Sequence, residues 1–133
     1  MYTKTIMDRF QNPRNAGSLH GANAVGQVGG QSGQDIMKLY LIINNSVIQD
    51  AKFKTFGCAL SIAILDVVCD LIKRKTIDDA LKVSKNDIIR VLGEIPERKM
   101  TCLTLAEESV RVAIQDYFSR QEKEAKRALK KAR

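Results

Sequence analysis

From Ala51 to Phe56 apolar and polar residues alternate, the period of a strand with one face covered. Residues 37–43 and 47–56 are both rich in apolar and β-branched positions, and Asn44-Asn45-Ser46 between them is a turn-forming triplet, so the two runs predict a β-hairpin. Residues 24–28 predict an edge strand, joined to the hairpin by the Gly-rich turn 29–34. The result is a sheet of three antiparallel strands with one face covered. Residues 58–73 are apolar on most sides, with Asp66 and Asp70 as a narrow polar stripe at i, i+4, which predicts a largely buried helix. Residues 3–11 predict a short helix that ends before Asn12-Pro13, because the residue preceding proline is pushed out of the helical region. Thr76-Ile77-Asp78-Asp79 and Ser84-Lys85-Asn86-Asp87 each place a capping hydroxyl before an acidic first turn, so two short helices follow. The last helix starts near Thr101, with Leu103, Ala106, Val110, Ala113, Ile114 and Tyr117 at helical spacing. Past Phe118 it lacks a wide apolar face and is expected to project or fray.

Composition narrows the class. A chain of 133 residues that is 44% hydrophobic fits one domain with one ordinary core. No run approaches the roughly 18 apolar residues of a membrane span, and the amino-terminal residues lack the charged, apolar and cleavage regions of a secretory signal. A cytoplasmic protein without a membrane partner is the expectation. The three cysteines are odd in number and far apart, which argues against a disulfide framework and for a reducing compartment. The net charge of +7 is concentrated in residues 120–133, where seven basic residues face Glu122 and Glu124. The rest of the chain is near balance, carries no nucleic-acid-binding motif and has only 5% aromatic residues for base stacking, so nucleic acid is not the expected partner. A solvated helical extension, or a handle for an acidic partner, suits the tail better.

The candidate chemistry is that of thiolates. Cys58 and Cys102 each fall at the predicted start of an apolar helix, where unpaired N–H groups and the helix dipole favour a thiolate as metal ligand or sulfur nucleophile. Taken alone, each reads more readily as a small buried hydrophobe, the commonest state of a free cysteine. The Gly-rich turn ends in the carboxylate of Asp35, and Lys99 lies three residues before Cys102, placed either to favour the thiolate or simply to be solvated. Cys69 lies eleven residues after Cys58 on one helix, roughly 16 Å along the axis, and is expected to be a core thiol outside any shared site. His20, in the loop before the first strand, is expected to be solvated. The glycines between 26 and 33 are not followed by Gly-Lys-Ser/Thr and lead into a strand, so they do not form a phosphate loop.

Several motifs in order carry a resemblance: Tyr2, Asn12-Pro13-Arg14-Asn15-Ala16-Gly17, Asp35-Ile36-Met37-Lys38-Leu39, the run from Asp50 through Phe56-Gly57-Cys58, Lys99-Met100-Thr101-Cys102, and Leu105-Ala106-Glu107. Over residues 2–118 the chain resembles the U-type iron-sulfur cluster assembly scaffolds, the IscU-like and NifU amino-terminal family. The resemblance implies an α+β fold, a small three-stranded antiparallel sheet with helices packed on one face. It divides the chain into a scaffold-like domain, 1–119, and a basic helical or disordered tail, 120–133. It also implies that Cys58, Cys102 and Asp35 hold a transient 2Fe-2S cluster, that Cys102 accepts sulfur with Lys99 in support, and that the protein is a scaffold or sulfur acceptor, not an enzyme. The partners implied are a cysteine desulfurase and a cluster-accepting carrier protein, and a second copy of the chain, a partner or a small thiol would complete the ligand set.

The chain also departs from the family pattern. Gly33 stands where the family has its first ligand cysteine, Thr101 where it usually has a histidine, and Ala59-Leu60 where it has small residues after the central cysteine, so the pocket is expected to be partly filled. Ile95-Pro96-Glu97-Arg98-Lys99 keeps only one proline and the lysine of the family's chaperone motif. Three readings stay open: a working scaffold, a relative that docks on the desulfurase to relay sulfur or regulate it, and a module that binds zinc or no metal.

Overall fold

Strand β3 (Val47–Phe56) pairs antiparallel with β2 (Ile36–Asn44), and the hairpin between them turns through Asn45 and Ser46, both with positive φ. That left-handed pair matches the twist of the flanking strands, and it explains why an Asn-rich triplet sits there. Strand β1 (Ala24–Gly29) pairs antiparallel with the other edge of β2, giving the order β1-β2-β3. The computed structural model describes residues 2–132 of the chain. Along β2, Met37, Leu39, Leu41 and Ile43 are buried while Ile36, Lys38, Tyr40 and Ile42 are only partly so, as the period of two requires for a sheet covered on one face. β2 runs one residue beyond the predicted span at each end, because the ladder with β3 extends from Ile36↔Phe56 to Asn44↔Val47.

Five α-helices accompany the sheet: α1 (Lys4–Gln11), α2 (Ala59–Ile72), α3 (Ile77–Leu81), α4 (Lys85–Leu92) and α5 (Met100–Lys131). The caps at Thr76 and Ser84 are those the sequence signals, and Thr3 adds a third. Thr3 accepts from the Ile6 N–H at 3.2 Å, Thr76 from Asp79 N–H at 3.1 Å, and Ser84 with Asp87 forms a reciprocal capping box. α2 is buried along most of its length, and its leucines, isoleucines and valines form the middle of the core with Phe53, Leu39 and Leu41.

The polar stripe on α2 faces protein instead of water. Asp66 is fully buried and accepts from the backbone N–H groups of Arg14 and Asn15, both at 2.9 Å, from the Asn15 amide at 3.1 Å and from Arg9 at 2.9 Å. Asp70 accepts from Arg9 and, at 3.0 Å, from Asn15, whose side-chain oxygen receives a hydrogen bond from Lys73. The Asn-Pro-Arg-Asn segment is thereby fastened to the middle of α2.

α5 is one helix of 32 residues, about 48 Å long. Its last buried residue is Ile114, and from Phe118 onward every described residue is exposed. The extension is nevertheless helical through Lys131. Alanine, lysine, glutamate and leucine there have high helix propensity, and ion pairs at i, i+4 link Arg120 to Asp116 at 2.9 Å and Lys126 to Glu122 at 3.6 Å. Arg133, the last of the tail's basic residues, lies outside the described residues. Among the described residues no helix is long and apolar enough to cross a membrane.

Candidate metal centre

Sheet register builds the first half of the site. Ile36 pairs with Phe56, so Asp35, one residue before β2, comes opposite Gly57, one residue after β3. Thr55 fixes this end of the ladder by donating its hydroxyl to the Ile36 carbonyl at 2.6 Å. The approach is close enough that a Cβ on Gly57 would overlap the Asp35 carboxyl, so only glycine fits before Cys58. Cys58 is the N-cap of α2, and its backbone N–H donates to Asp35 at 3.3 Å. The carboxylate therefore serves the helix start in place of a capping side chain.

α5 supplies the second half. Cys102 sits in its first turn, just after the 3-10 turn Glu97–Lys99, and is 6% exposed. One carboxylate oxygen of Asp35 and the sulfurs of Cys58 and Cys102 all lie within 4.8 Å of one another. The Cys58 thiol is 3.4 Å from Asp35 Oδ2 and the Cys102 thiol 4.0 Å. Two soft sulfurs with one hard oxygen suit borderline metals such as iron and zinc. The donor chemistry fits a metal or an iron-sulfur unit.

A pocket of about 240 Å³ opens on Cys102 and Asp35, and is also lined by Gly33, Arg98, Lys99 and Thr101. Burial pushes the Asp35 carboxyl up, but hydrogen bonds from Ser61 and from the N–H and thiol of Cys58, with the Lys99 charge, outweigh it and hold the group below its ordinary value. For Cys102 the balance is opposite. Burial pushes the thiol up, the neighbouring Cys58 and Asp35 add to this, and the hydrogen bond from Ser61 and the charge of Lys99 only partly offset it. Lys99 acts in the direction the sequence suggested, but desolvation is larger and the thiol ends above its ordinary value.

The remaining residues fall into place around this group. Cys69 is fully buried on α2 among core side chains, outside the cluster, and burial holds its thiol well above its ordinary value. His20 is exposed in the loop before β1 and is not part of the cluster. Gly33 is exposed at φ +80°, with nothing near the direction a side chain would take. Leu60 does not fill the pocket: it turns into the core and is fully buried. The side chain that enters the site is Ser61, which sequence reasoning missed. Its hydroxyl donates to Asp35 and lies 3.7 Å from the Cys58 sulfur and 3.9 Å from that of Cys102. The usable signal was its spacing, since the third residue after an N-cap returns to the helix start.

A family model, the NifU-like N terminal domain, matches residues 1–124. The chain belongs to this family. It is 42% identical over 118 residues to iron-sulfur cluster assembly scaffold protein IscU 1 of Archaeoglobus fulgidus, covering 89% of this chain and 77% of that protein. It is 38% identical over 125 residues to the scaffold protein IscU of Escherichia coli K12, covering 91% and 97%. Among solved structures it is similar to a putative iron-sulfur cluster assembly scaffold protein for the SUF system from Fervidobacterium islandicum AW-1, with a TM-score of 0.72 and 25% identity over 84% of this chain and 95% of that one. The α+β fold with a three-stranded antiparallel sheet agrees with these NifU-like relatives.

Proposed function

We propose that this NifU-like chain is an iron-sulfur cluster assembly scaffold that accepts sulfur and iron, holds a 2Fe-2S unit transiently and passes it to a carrier protein. The observation that carries the reading is the convergence of Asp35, Cys58 and Cys102 from three separate elements into one cluster. The cluster is cargo. Cys102 is the sulfur acceptor in this reading: its thiolate attacks the outer sulfur of a persulfide on a cysteine desulfurase, a new S–S bond forms on Cys102, and the donor cysteine leaves as a thiolate. Arg98 and Lys99 line the same pocket and favour the anionic product. Asp35, a hard ligand held ionised, binds an iron-sulfur unit less firmly than a thiolate would, which suits release.

A 2Fe-2S cluster normally takes four protein ligands. Asp35, Cys58 and Cys102 supply three, and Gly33 and Thr101 add none. A lone subunit therefore holds less than one cluster per chain, and a second copy, a partner or a small thiol completes the set. The test is anaerobic reconstitution with iron and sulfide, followed by gel filtration and measurement of both in the monomer peak. Substoichiometric, chelator-labile cluster that disappears in Cys58→Ser and Cys102→Ser supports the proposal, and cluster content unaffected by either substitution refutes it. A pocket that opens on Cys102 beside two cations favours one second reading, a sulfur relay. That reading requires persulfide on Cys102 after incubation with desulfurase and cysteine, with no cluster retained.

A further inference from the structure

The two cysteines of the centre differ in how they meet the pocket. Cys102 lines it together with Arg98 and Lys99, whereas Cys58, the N-cap of α2, is not part of its wall. Resting on the reading of Cys102 as sulfur acceptor, we propose that Cys58 is a second sulfur station: the outer sulfur delivered to Cys102 passes on to Cys58, and Cys102 is freed to take another. The step is a thiol exchange without net oxidation or reduction. The Cys58 thiolate attacks the outer sulfur of the Cys102 persulfide, a new S–S bond forms on Cys58 and the old one breaks. Cys102 leaves as a thiolate and takes up the proton that Cys58 gave up.

The spacing suits that step. A persulfide S–S bond is about 2.05 Å long and reacting atoms stand about 3–3.5 Å apart before attack, so in-line transfer of an outer sulfur needs the two flanking sulfurs about 5 Å apart. Cys58 Sγ and Cys102 Sγ lie within 4.8 Å of each other. Both also face a single acceptor, Asp35 Oδ2, at 3.4 and 4.0 Å, through which the proton can pass from one sulfur to the other. Cys58 caps α2 and Cys102 sits in the first turn of α5, so a sulfur anion on either station meets a helix start. Cys69 is fully buried outside the cluster and is no third station. With Cys58 and Cys102 both loaded, one subunit carries the two sulfurs that a 2Fe-2S unit contains.

The test uses the full chain, anaerobic and metal-free, with a cysteine desulfurase and a limiting pulse of cysteine, quenched at intervals and mapped by alkylation and peptide mass spectrometry. The wild type should carry persulfide first on Cys102 and later on Cys58, the Cys102 signal falling as that of Cys58 rises. With excess cysteine both positions should be loaded in the same chain. In Cys102→Ser the Cys58 label should drop at least about tenfold, and in Cys58→Ser persulfide should stay on Cys102 alone. Circular dichroism melts check that both variants fold, and if either does not, the order of labelling in the wild type decides alone. Cys58 labelled as early as Cys102, or labelled fully in Cys102→Ser, would mean that the donor reaches the partly exposed Cys58 directly, and would overturn the relay. Wild-type persulfide confined to Cys102 would overturn it too, as would a Cys58–Cys102 disulfide with released sulfide, the mark of attack on the inner sulfur. These outcomes leave Cys102 as acceptor, whereas absence of persulfide from Cys102 overturns the acceptor reading and the relay together.

Discussion

Helix α2 carries two polar clusters within a single buried element, and they are built on opposite principles. Around Asp66 and Asp70, Arg9 supplies charge and the Arg14 and Asn15 N–H groups, the Asn15 amide and Lys73 supply donors, so the network is complete within the protein. At the start of the same helix, Cys58, Ser61, Asp35 and Cys102 gather two thiols, a hydroxyl and a carboxylate beside an open pocket, with Lys99 and Arg98 only on its wall. The first cluster has used its bonding capacity on architecture. The second keeps lone pairs of sulfur and oxygen for something brought from outside. Polar residues on a buried helix are thus told apart by what remains unspent after the chain has folded.

The contrast is broken most severely at Asp66. Asp66→Ala leaves two backbone N–H groups in the interior without their acceptor and Arg9 with Asp70 as its remaining carboxylate, and should cost about 3–5 kcal/mol of unfolding free energy by denaturant titration. Asp35→Asn should cost only about 1 kcal/mol, the scale of a lost helix cap, while weakening cobalt or zinc binding by at least tenfold. Stability and metal affinity should therefore respond to different carboxylates. If Asp35→Asn proves as destabilising as Asp66→Ala, both clusters are structural and the distinction fails.

Gly33→Cys sharpens the comparison from the other side, by adding capacity where the site is short. Space is open there, but the φ of +80° strains any side chain, so the variant should lose about 1–2 kcal/mol of stability while holding more cluster on reconstitution. A stability loss without added iron and sulfide would show that residue 33 is out of reach of the centre.

Legibility in the sequence followed the range of the interactions. The hairpin was readable because alternation and an Asn-rich turn are local, and the sheet register then made Asp35 and Gly57 neighbours without further help. Asp66 and Asp70 were visible as a stripe on a largely buried helix, but their partners Arg9 and Asn15 lie more than fifty residues away, so what the stripe faces was not. Ser61 was hidden by an apolar helix in which one serine looks like a tolerated small residue. Leu60 misled in the reverse sense, since its bulk suggests a filled pocket and its orientation takes it into the core. The helical continuation past Phe118 was ambiguous because propensity and ion pairs, not burial, sustain it.

A smaller effect separates the clusters by acid. Burial pushes the Asp70 carboxyl up, but hydrogen bonds from Arg9 and Asn15 and the charges of Arg9 and Arg14 hold it below its ordinary value. A depressed folded pKa adds stability that is present above the unfolded value of about 3.9 and is lost as pH falls through the lower folded value. Asp70→Asn should therefore be less stable than wild type at neutral pH, and the two unfolding curves should converge as pH drops below that range. A constant difference at all pH values would mean that Asp70 contributes packing and not charge.

The smallest expected effect lies at the wall of the open cluster. Lys99 lowers the Cys102 thiol while burial, Cys58 and Asp35 raise it, so replacing the cation should lift the thiol further above its ordinary value. At neutral pH, Lys99→Met should alkylate at Cys102 more slowly than wild type, by a few-fold and less than about tenfold for a single partly solvated charge. The two rates should meet at high pH, where the thiol is ionised in both. Cys69 is fully buried and burial holds its thiol well above its ordinary value, and peptide mapping of the label by mass spectrometry separates the Cys102 signal from it. Equal rates at neutral pH would mean that Lys99 is solvated and takes no part. Slower alkylation together with unchanged unfolding free energy would set Lys99 apart from Arg9, a cation whose removal should be felt in stability because its charge is matched inside the fold.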